Sequence, residues 1–234
     1  MVQTEKTIFR PAQFAEHRLV TAILDETYPP GSSLPAERVL AEQLNVTRQT
    51  LREVLQRLAG DRWITIQHGK PTVVNHYWRE GGLGILKTLV NFTDYLPGEF
   101  IAHLLQARAV FMPACAGTAI RNHADQFLKH LETAETLGQS PADYSVFDWE
   151  LQSLMAKFSD NMISPLILND FAPVFRALGE RYFTLPEGRA ASAGYYRKLD
   201  RAIRRKTTVE GIVRKAMEES LKIWKTFQEN PREQ

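Results

Sequence analysis

The chain has 234 residues, of which 44% are hydrophobic and 24% are charged, so it can bury a hydrophobic core without covalent cross-links. The single cysteine, Cys115, excludes an internal disulfide framework and any zinc site built from several cysteines. The 29 basic and 27 acidic residues leave a formal net charge of +2, so a nucleic-acid partner must be argued from local clusters of charge.

The sequence gives no reason to expect membrane insertion or secretion. The longest uncharged apolar stretch, residues 109–120, is too short to span a bilayer and is interrupted by Pro113. Residues 1–10 are polar and lack the apolar segment of a signal peptide. We therefore expect a cytoplasmic protein with no membrane partner.

The first 60 residues predict three helices separated by short turns. The first helix begins at Pro11 and ends before Tyr28–Gly31, where two prolines and a glycine interrupt helical hydrogen bonding. The second helix spans about residues 36–44, and Thr47 caps a third helix over about residues 48–60. Four apolar residues of the third helix recur at helical spacing and predict one buried stripe: Leu51, Val54, Leu55 and Leu58.

A β-hairpin is predicted directly after the third helix. Trp63–Ile66 and Thr72–Asn75 are rich in β-branched and aromatic residues, and the glycine-containing segment Gln67–Pro71 between them is typical of a hairpin tip. Three helices followed by a hairpin, with a short turn between the second and third helices, predict a winged helix-turn-helix domain over residues 1–75.

The rest of the sequence predicts only helices. Residues 76–83 contain two glycines and a charged pair and are typical of a linker. Over residues 84–234 the apolar residues follow helical spacing, and no alternating pattern indicates a strand. The predicted fold class is therefore mainly α, with a winged helix-turn-helix domain followed by an all-α helical bundle as effector domain.

The third helix carries the residues expected to read DNA. In a helix-turn-helix, the second helix of the motif enters the major groove with its N-terminal residues first. Arginine pairs with guanine and glutamine with adenine, while threonine hydroxyls and the N–H groups of a helix start suit phosphate oxygens. The residues that fit these roles are Arg38, Thr47, Arg48, Gln49, Thr50 and Arg52.

The predicted hairpin tip supplies a basic wing. Gly69 lets the backbone approach DNA closely, and His68 and Lys70 suit a narrow, negative groove. Between residues 38 and 79 there are seven basic and three acidic residues, so positive charge is concentrated in the segment that would dock. A solvated helix face explains any one of these residues, but their combination with the capped turn and the buried stripe favours DNA binding.

Five segments resemble the winged helix of the GntR family of bacterial transcriptional regulators, and in particular the members that control fatty acid metabolism. These segments are Pro29–Gly31, Leu34–Arg38, Val46–Glu53, Thr50–Ala59 and Thr65–Thr72. The resemblance implies that the helix and wing residues named above contact double-stranded operator DNA. A homodimer is also expected, because a two-fold operator needs two recognition helices.

The helical domain carries no catalytic motif. It has no glycine-rich phosphate loop, no HExxH and no Gly-x-Ser-x-Gly, and Cys115 lies in an apolar helix, which predicts a buried and unreactive thiol. Many GntR-type regulators bind a metal through one aspartate and three histidines. The matching stretch here has Asp148, but Gln152 stands where a histidine is needed. We therefore expect no metal, no cofactor and no enzymatic activity.

Three further segments, Leu178–Phe183, Gly194–Leu199 and Glu219–Trp224, resemble the ligand domain of the fatty acid regulators in this family. The resemblance implies that a long-chain fatty acyl-CoA is the effector and that it releases the protein from DNA. Carried over position by position, it assigns ligand contacts to Leu104, Leu105, Arg108, Tyr182, Tyr196, Ser220 and Trp224.

Two clusters of charge in this domain leave alternatives open. Arg108 lies in an apolar helix, so it needs either a structural acid or a ligand as its partner. The basic run over residues 197–206 is either a solvated face or a surface for the phosphates of CoA.

The hypothesis from the sequence is a homodimeric regulator that represses fatty acid degradation genes, with activation of unsaturated fatty acid biosynthesis genes as a further expectation. Two alternatives remain. One is a GntR-type repressor that senses a small organic acid, and the other is an acyl-CoA carrier or enzyme that does not bind DNA.

Overall fold

The computed structural model describes residues 10–229, which form two compact units. The first unit ends at Tyr95 and the second begins at Leu96. The polar segment over residues 1–9, in which no signal peptide is expected, lies outside the described residues. The elements of the first unit are α1 (Pro11–Leu24), α2 (Glu37–Gln43), α3 (Arg48–Gly60), β1 (Ile64–Thr65), β2 (Val73–Val74), α4 (Tyr77–Glu80), α5 (Gly84–Leu89) and a 3₁₀ turn (Thr93–Tyr95).

The core of the first unit lies between α1 and α3. The predicted apolar stripe of α3 is fully buried and packs against α1, whose Leu19 and Ile23 are also buried. Arg57 of α3 and Glu16 of α1 form an ion pair of 2.8 Å beside this core. The turn between α2 and α3 is held by Asn45, whose φ of 52° lies in the left-handed region that asparagine tolerates. The three-helix prediction is confirmed, and α3 spans residues 48–60 as expected.

The hairpin forms as predicted, but its strands are shorter. β1 and β2 are antiparallel and pair Ile64 with Val74 and Thr65 with Val73. The predicted strands extended over four residues each, whereas the ladder holds only two in each strand. Since the segment between the strands is solvent-exposed and contains Pro71, which lacks an N–H, it gains little from further pairing.

The structure differs from the prediction of a linker followed directly by the effector bundle. Residues 76–83 contain the short helix α4, and α5 buries Ile85 and Leu89 within the first unit. Two of the three glycines at positions 81, 82 and 84 are closely packed, whereas Gly82 is in open space. A Cβ at Gly81 would collide with Ile85, and a Cβ at Gly84 would collide with the carboxylate of Asp61.

The second unit is helical throughout its described residues. Its elements are α6 (Phe100–Glu132), a 3₁₀ turn (Thr133–Thr136), α7 (Pro141–Lys157), α8 (Ile163–Phe183), α9 (Pro186–Arg204) and α10 (Glu210–Glu229). The sequence predicted separate helices over residues 100–120 and 124–137. In the structure the two helices run on as α6, and the predicted break between them is present as a kink at His123, whose φ of −135° is not helical.

Helix α6 is the central element of the second unit. It packs against α7, α9 and α10, and its Met112, Ala116 and Ala119 are fully buried. Residues 100–136 are long and apolar enough in composition to span a membrane, in contrast to the shorter stretch considered from the sequence. The buried side chains show that these residues form the core of the bundle.

Candidate nucleic-acid interface and ligand cavity

The helix-turn-helix places its predicted DNA-reading residues on one exposed surface. The hydroxyl of Thr47 accepts a hydrogen bond from the backbone N–H of Thr50 at 3.1 Å and so caps the start of α3. Arg48, Gln49 and Arg52 are exposed, because the buried stripe occupies the opposite side of α3. The positive end of the helix dipole and the basic side chains are therefore presented together.

Carboxylates partner three of the predicted DNA-reading residues on this surface. Arg38 pairs with Glu42 at 2.9 Å, and the Nε of Arg52 lies 2.7 Å from an oxygen of Glu37. The amide of Gln49 donates to Glu53 at 3.3 Å. In the described part of the chain Arg48 makes no ion pair. Sequence reasoning missed the pairing of Arg52 with Glu37, because the two residues are 15 positions apart.

The predicted wing residues lie together at the tip of the hairpin. His68, Gly69 and Lys70 are all exposed. Gly69 has φ of +70°, a conformation that glycine adopts without strain, and the N–H of Lys70 closes the turn onto the carbonyl of Gln67 at 3.2 Å. The tip can therefore approach a groove with little bulk beyond its two basic side chains.

A cavity of about 210 Å³ lies inside the second unit, between α6, α7, α8 and α10. Most of its lining is aliphatic or aromatic. Six of the seven residues that the resemblance assigned to the ligand line it: Leu104, Leu105, Arg108, Tyr182, Ser220 and Trp224. Tyr196 is buried and does not line the cavity, but its hydroxyl reaches the cluster described next.

A buried polar cluster lies at the wall of this cavity. The carboxylate of Asp148, which is 3% exposed, accepts hydrogen bonds from Tyr196 at 3.1 Å and from Gln152 at 2.6 Å. One Nη of Arg108 lies 3.5 Å from the same carboxylate, and the other donates to the hydroxyl of Ser220 at 2.9 Å. Burial raises the pKa of Asp148 above its ordinary value, and the guanidinium of Arg108 opposes this shift. Arg108 thus has a structural acid as its partner.

Two donors at the cavity remain without a partner among the described residues. They are the Nε of Arg108 and the indole N–H of Trp224, both buried. A buried donor without an acceptor costs about 1–3 kcal/mol, so both atoms favour a ligand that brings an acceptor into the cavity. The sequence pointed to these two residues, but not to the unpaired atoms.

Residues outside the set assigned from the resemblance also line the cavity. Trp149 of α7 stacks obliquely on Phe175 of α8, with ring centroids 5.0 Å apart, and Phe171 and Val174 complete that wall. Their apolar spacing on α8 was visible in the sequence. It did not distinguish a cavity wall from an ordinary core.

Asp148 and Gln152, which suggested that no metal is held, belong to the polar cluster. Within residues 10–229, no three histidine, cysteine, aspartate or glutamate residues are grouped in a way that could hold a metal. Cys115 is buried as expected, and burial raises the pKa of its thiol. The absence of a bound metal stays a prediction.

The basic run over residues 197–206 lies away from the cavity. Arg204, within it, pairs with Asp200 at 3.0 Å and with Glu132 at 3.5 Å. Glu132 ends α6, and the kink at His123 lies between it and Arg108. A cleft much nearer the cavity carries Arg181, whose guanidinium lies 5.9 Å from the centre of the Trp224 ring, together with Lys222.

Comparison with known proteins also divides the chain in two, although the two family profiles meet at residues 74/75 and the two compact units meet at residues 95/96. The family profile described as "Bacterial regulatory proteins, gntR family" matches residues 11–74, and the profile "FadR C-terminal domain" matches residues 75–234. A solved structure titled "Lar controls the expression of the Listeria monocytogenes agr system and mediates virulence" is similar with a TM-score of 0.59. It has 15% identity and covers 99% of this chain and 100% of that chain. The solved structure shows that the fold is shared, and the two profiles, which together cover residues 11–234, make the chain a GntR-family transcriptional regulator and not an enzyme.

Within that family, the relatives are more specific. The "Fatty acid metabolism regulator protein" of Cronobacter sakazakii is 40% identical over 222 residues, covering 94% of this chain and 93% of the relative. The protein of the same name from Shewanella pealeana is 44% identical over 190 residues, covering 81% and 79%. The chain belongs to the fatty acid metabolism regulators that carry the FadR C-terminal domain.

Proposed function

We propose that this regulator binds operator DNA as a homodimer in the cytoplasm, represses fatty acid degradation genes and leaves DNA when it binds a long-chain fatty acyl-CoA. The observation that carries the ligand proposal is the apolar cavity with two unpaired donors in its wall. Activation of unsaturated fatty acid biosynthesis genes is a further part of the proposal and rests on the resemblance alone.

An acyl chain fits the chemistry of the lining. Leu104 and Leu105 of α6 and Phe171 and Val174 of α8 line a cavity whose surface is almost entirely carbon. Each methylene transferred from water to such a surface contributes about 0.8 kcal/mol. A small organic acid would gain little from these apolar walls.

The unpaired donors fit the head of the acyl chain. A thioester carbonyl entering beside α10 offers the acceptor that the Nε of Arg108 and the indole N–H of Trp224 lack. The neighbouring cleft offers Arg181 and Lys222 to the phosphates of CoA. In this proposal the cleft, and not the basic run over residues 197–206, binds the phosphates of CoA.

The DNA side of the proposal rests on the exposed start of α3 and on the wing. One α3 helix reads only a few base pairs, so two copies related by a two-fold axis are needed for a specific operator. Ligand and DNA are linked because the ligand favours a dimer arrangement that no longer matches the half-site spacing.

The proposal is tested by measuring DNA binding with and without ligand. A duplex enriched by the protein from a random pool serves as operator, and palmitoyl-CoA, octanoyl-CoA and free CoA are added at equal concentrations. We expect palmitoyl-CoA to release the operator at micromolar concentrations and free CoA not to do so. Affinity should fall about fourfold for each buried methylene removed.

Two results would overturn the proposal. If calorimetry detects no palmitoyl-CoA binding to protein that still binds its enriched duplex, the proposal fails in favour of a regulator that senses a small organic acid. Palmitoyl-CoA binding by protein that enriches no duplex would indicate a carrier.

A further inference from the structure

The ion pair between Arg52 and Glu37 connects the two helices of the helix-turn-helix. Glu37 is the first residue of α2, and Arg52 lies in the second turn of α3. The Nε of Arg52 lies 2.7 Å from Oε2 of Glu37, and the two side chains are 61% and 40% exposed. The pair between Arg38 and Glu42, in contrast, lies within α2.

The contact at Nε leaves the other edge of the guanidinium free. A guanidinium has one N–H at Nε and four at the two Nη atoms, and arginine reads guanine through paired bonds to O6 and N7. Because Glu37 holds the Nε, the terminal edge stays available for a base. Because the side chain is already ordered, less conformational freedom is lost when it binds.

The charge of Glu37 acts in the same direction. A carboxylate 2.7 Å from the guanidinium repels a backbone phosphate that approaches Arg52. The edge of a base carries no net charge and is not repelled in this way. Arg52 without Glu37 would bind phosphate as readily as any exposed arginine.

We infer that Glu37 is a positioning residue that makes Arg52 a reader of one base pair by holding its Nε and disfavouring phosphate. The inference rests on the proposed DNA-binding face, since Glu37 acts only through Arg52. It places a specificity determinant on the first helix of the motif, outside the set of residues expected to touch DNA.

The test measures base preference in four variants of the full chain. Glu37→Ala, Arg52→Ala and the double variant are compared with Glu16→Ala. Glu16→Ala removes an acid from another arginine of α3, Arg57, and so matches the loss of charge away from the DNA face. Affinity is measured for the duplex enriched by the wild-type protein, for its single-base substitutions and for a scrambled duplex of equal length, over a range of salt concentrations.

We expect Glu37→Ala to lower affinity for the enriched duplex about three- to tenfold without weakening binding to the scrambled duplex. It should reduce the base preference at one base pair per half-site. The affinity should also fall more steeply with salt, by the amount expected for about one additional phosphate contact per protomer. Its melting temperature should stay near that of the wild type, because an exposed ion pair contributes little stability. Glu16→Ala should keep the wild-type preference.

The double variant shows whether Glu37 acts through Arg52. In the Arg52→Ala background, Glu37→Ala should cause no further loss of base preference, and a further loss would overturn the inference. Wild-type preference in Glu37→Ala, alongside lost preference in Arg52→Ala, would overturn it while leaving the DNA-binding face intact. Unchanged preference in Arg52→Ala would reject both the inference and the place of Arg52 in the proposed interface.

Discussion

Replacing Arg108 by methionine would leave the carboxylate of Asp148 buried without its cationic partner. Methionine keeps the apolar length of the side chain, so the change removes mainly the guanidinium. Asp148 would retain Tyr196 and Gln152 as donors. Breaking a buried ion pair by removing one partner costs about 3–5 kcal/mol. Two donors to Asp148 remain, and its carboxyl can take up a proton. We therefore expect Arg108→Met to lower the free energy of unfolding by about 3 kcal/mol at pH 8.

The loss should depend on pH in a defined direction. The pKa of folded Asp148 is already raised by burial, so the folded state binds a proton more tightly than the unfolded chain does. Stability therefore falls as pH rises through the folded-state pKa, and removing Arg108 raises that pKa further. The destabilisation by Arg108→Met should be larger at pH 8 than at pH 5, where protonation of Asp148 removes the uncompensated charge.

Urea denaturation of the ligand-free protein at several pH values measures this effect. Asp148→Asn in the Arg108→Met background is the matched variant, because the amide can still accept from Tyr196 and carries no charge. It should recover most of the lost stability and abolish its pH dependence. An equal loss at pH 5 and pH 8, or no recovery in the double variant, would refute the reasoning from a buried charge.

Three further predictions concern the DNA face, the backbone and metals. Arg48→Ala should weaken operator binding by about 1–3 kcal/mol at fixed salt without unfolding α3, and unchanged affinity would contradict its place on the DNA face. Arg62, exposed with φ of 63°, occupies a left-handed conformation, so Arg62→Gly should raise the free energy of unfolding by about 0.5–1 kcal/mol, and a decrease would argue against backbone strain. Elemental analysis should find no stoichiometric zinc or nickel, and chelators should not change the melting temperature, whereas one metal equivalent lost with Asp148→Ala would contradict this.

The helices of the first unit could be predicted from the sequence, because the sequence features that specify them are local. The cap at Thr47 and the apolar stripe of α3 lie within a few residues of the structure they specify, and α3 begins and ends as predicted. The boundary between the two units was harder to predict from the sequence. Gly81 and Gly84 have the composition of a linker, but a side chain at Gly81 would collide with Ile85 and with the carbonyl of Tyr77, and one at Gly84 would collide with Asp61.

The cavity could be predicted only in part from the sequence, because its polar groups are brought together by tertiary packing. Arg108 and Ser220 are 112 residues apart, and Tyr196 and Asp148 are 48 apart, so no spacing in the sequence connects them. The resemblance supplied six of the twenty residues that line the cavity. The unpaired donors and the acid partner of Arg108 could be identified only from the packing of α6, α7, α9 and α10 in the structure.

Filling the cavity should separate ligand sensing from DNA binding. Leu105 lines the cavity on α6, and the larger indole of Leu105→Trp would occupy part of its roughly 210 Å³. Val110, on the same helix, is 73% exposed and is not part of the lining, so Val110→Trp adds the same side chain outside the cavity. Both variants should bind the enriched duplex like the wild type, because neither residue lies in the DNA-reading unit.

The two variants should differ when palmitoyl-CoA is added. Leu105→Trp should need at least about tenfold more ligand to release DNA, since excluding two buried methylenes alone costs about 1.6 kcal/mol. Val110→Trp should respond normally. Binding is reciprocal, so the operator duplex should weaken palmitoyl-CoA binding to Val110→Trp by the same factor by which palmitoyl-CoA weakens DNA binding. Equal responses in the two variants would show that the acyl chain lies outside this cavity, because only Leu105→Trp changes the space available to it.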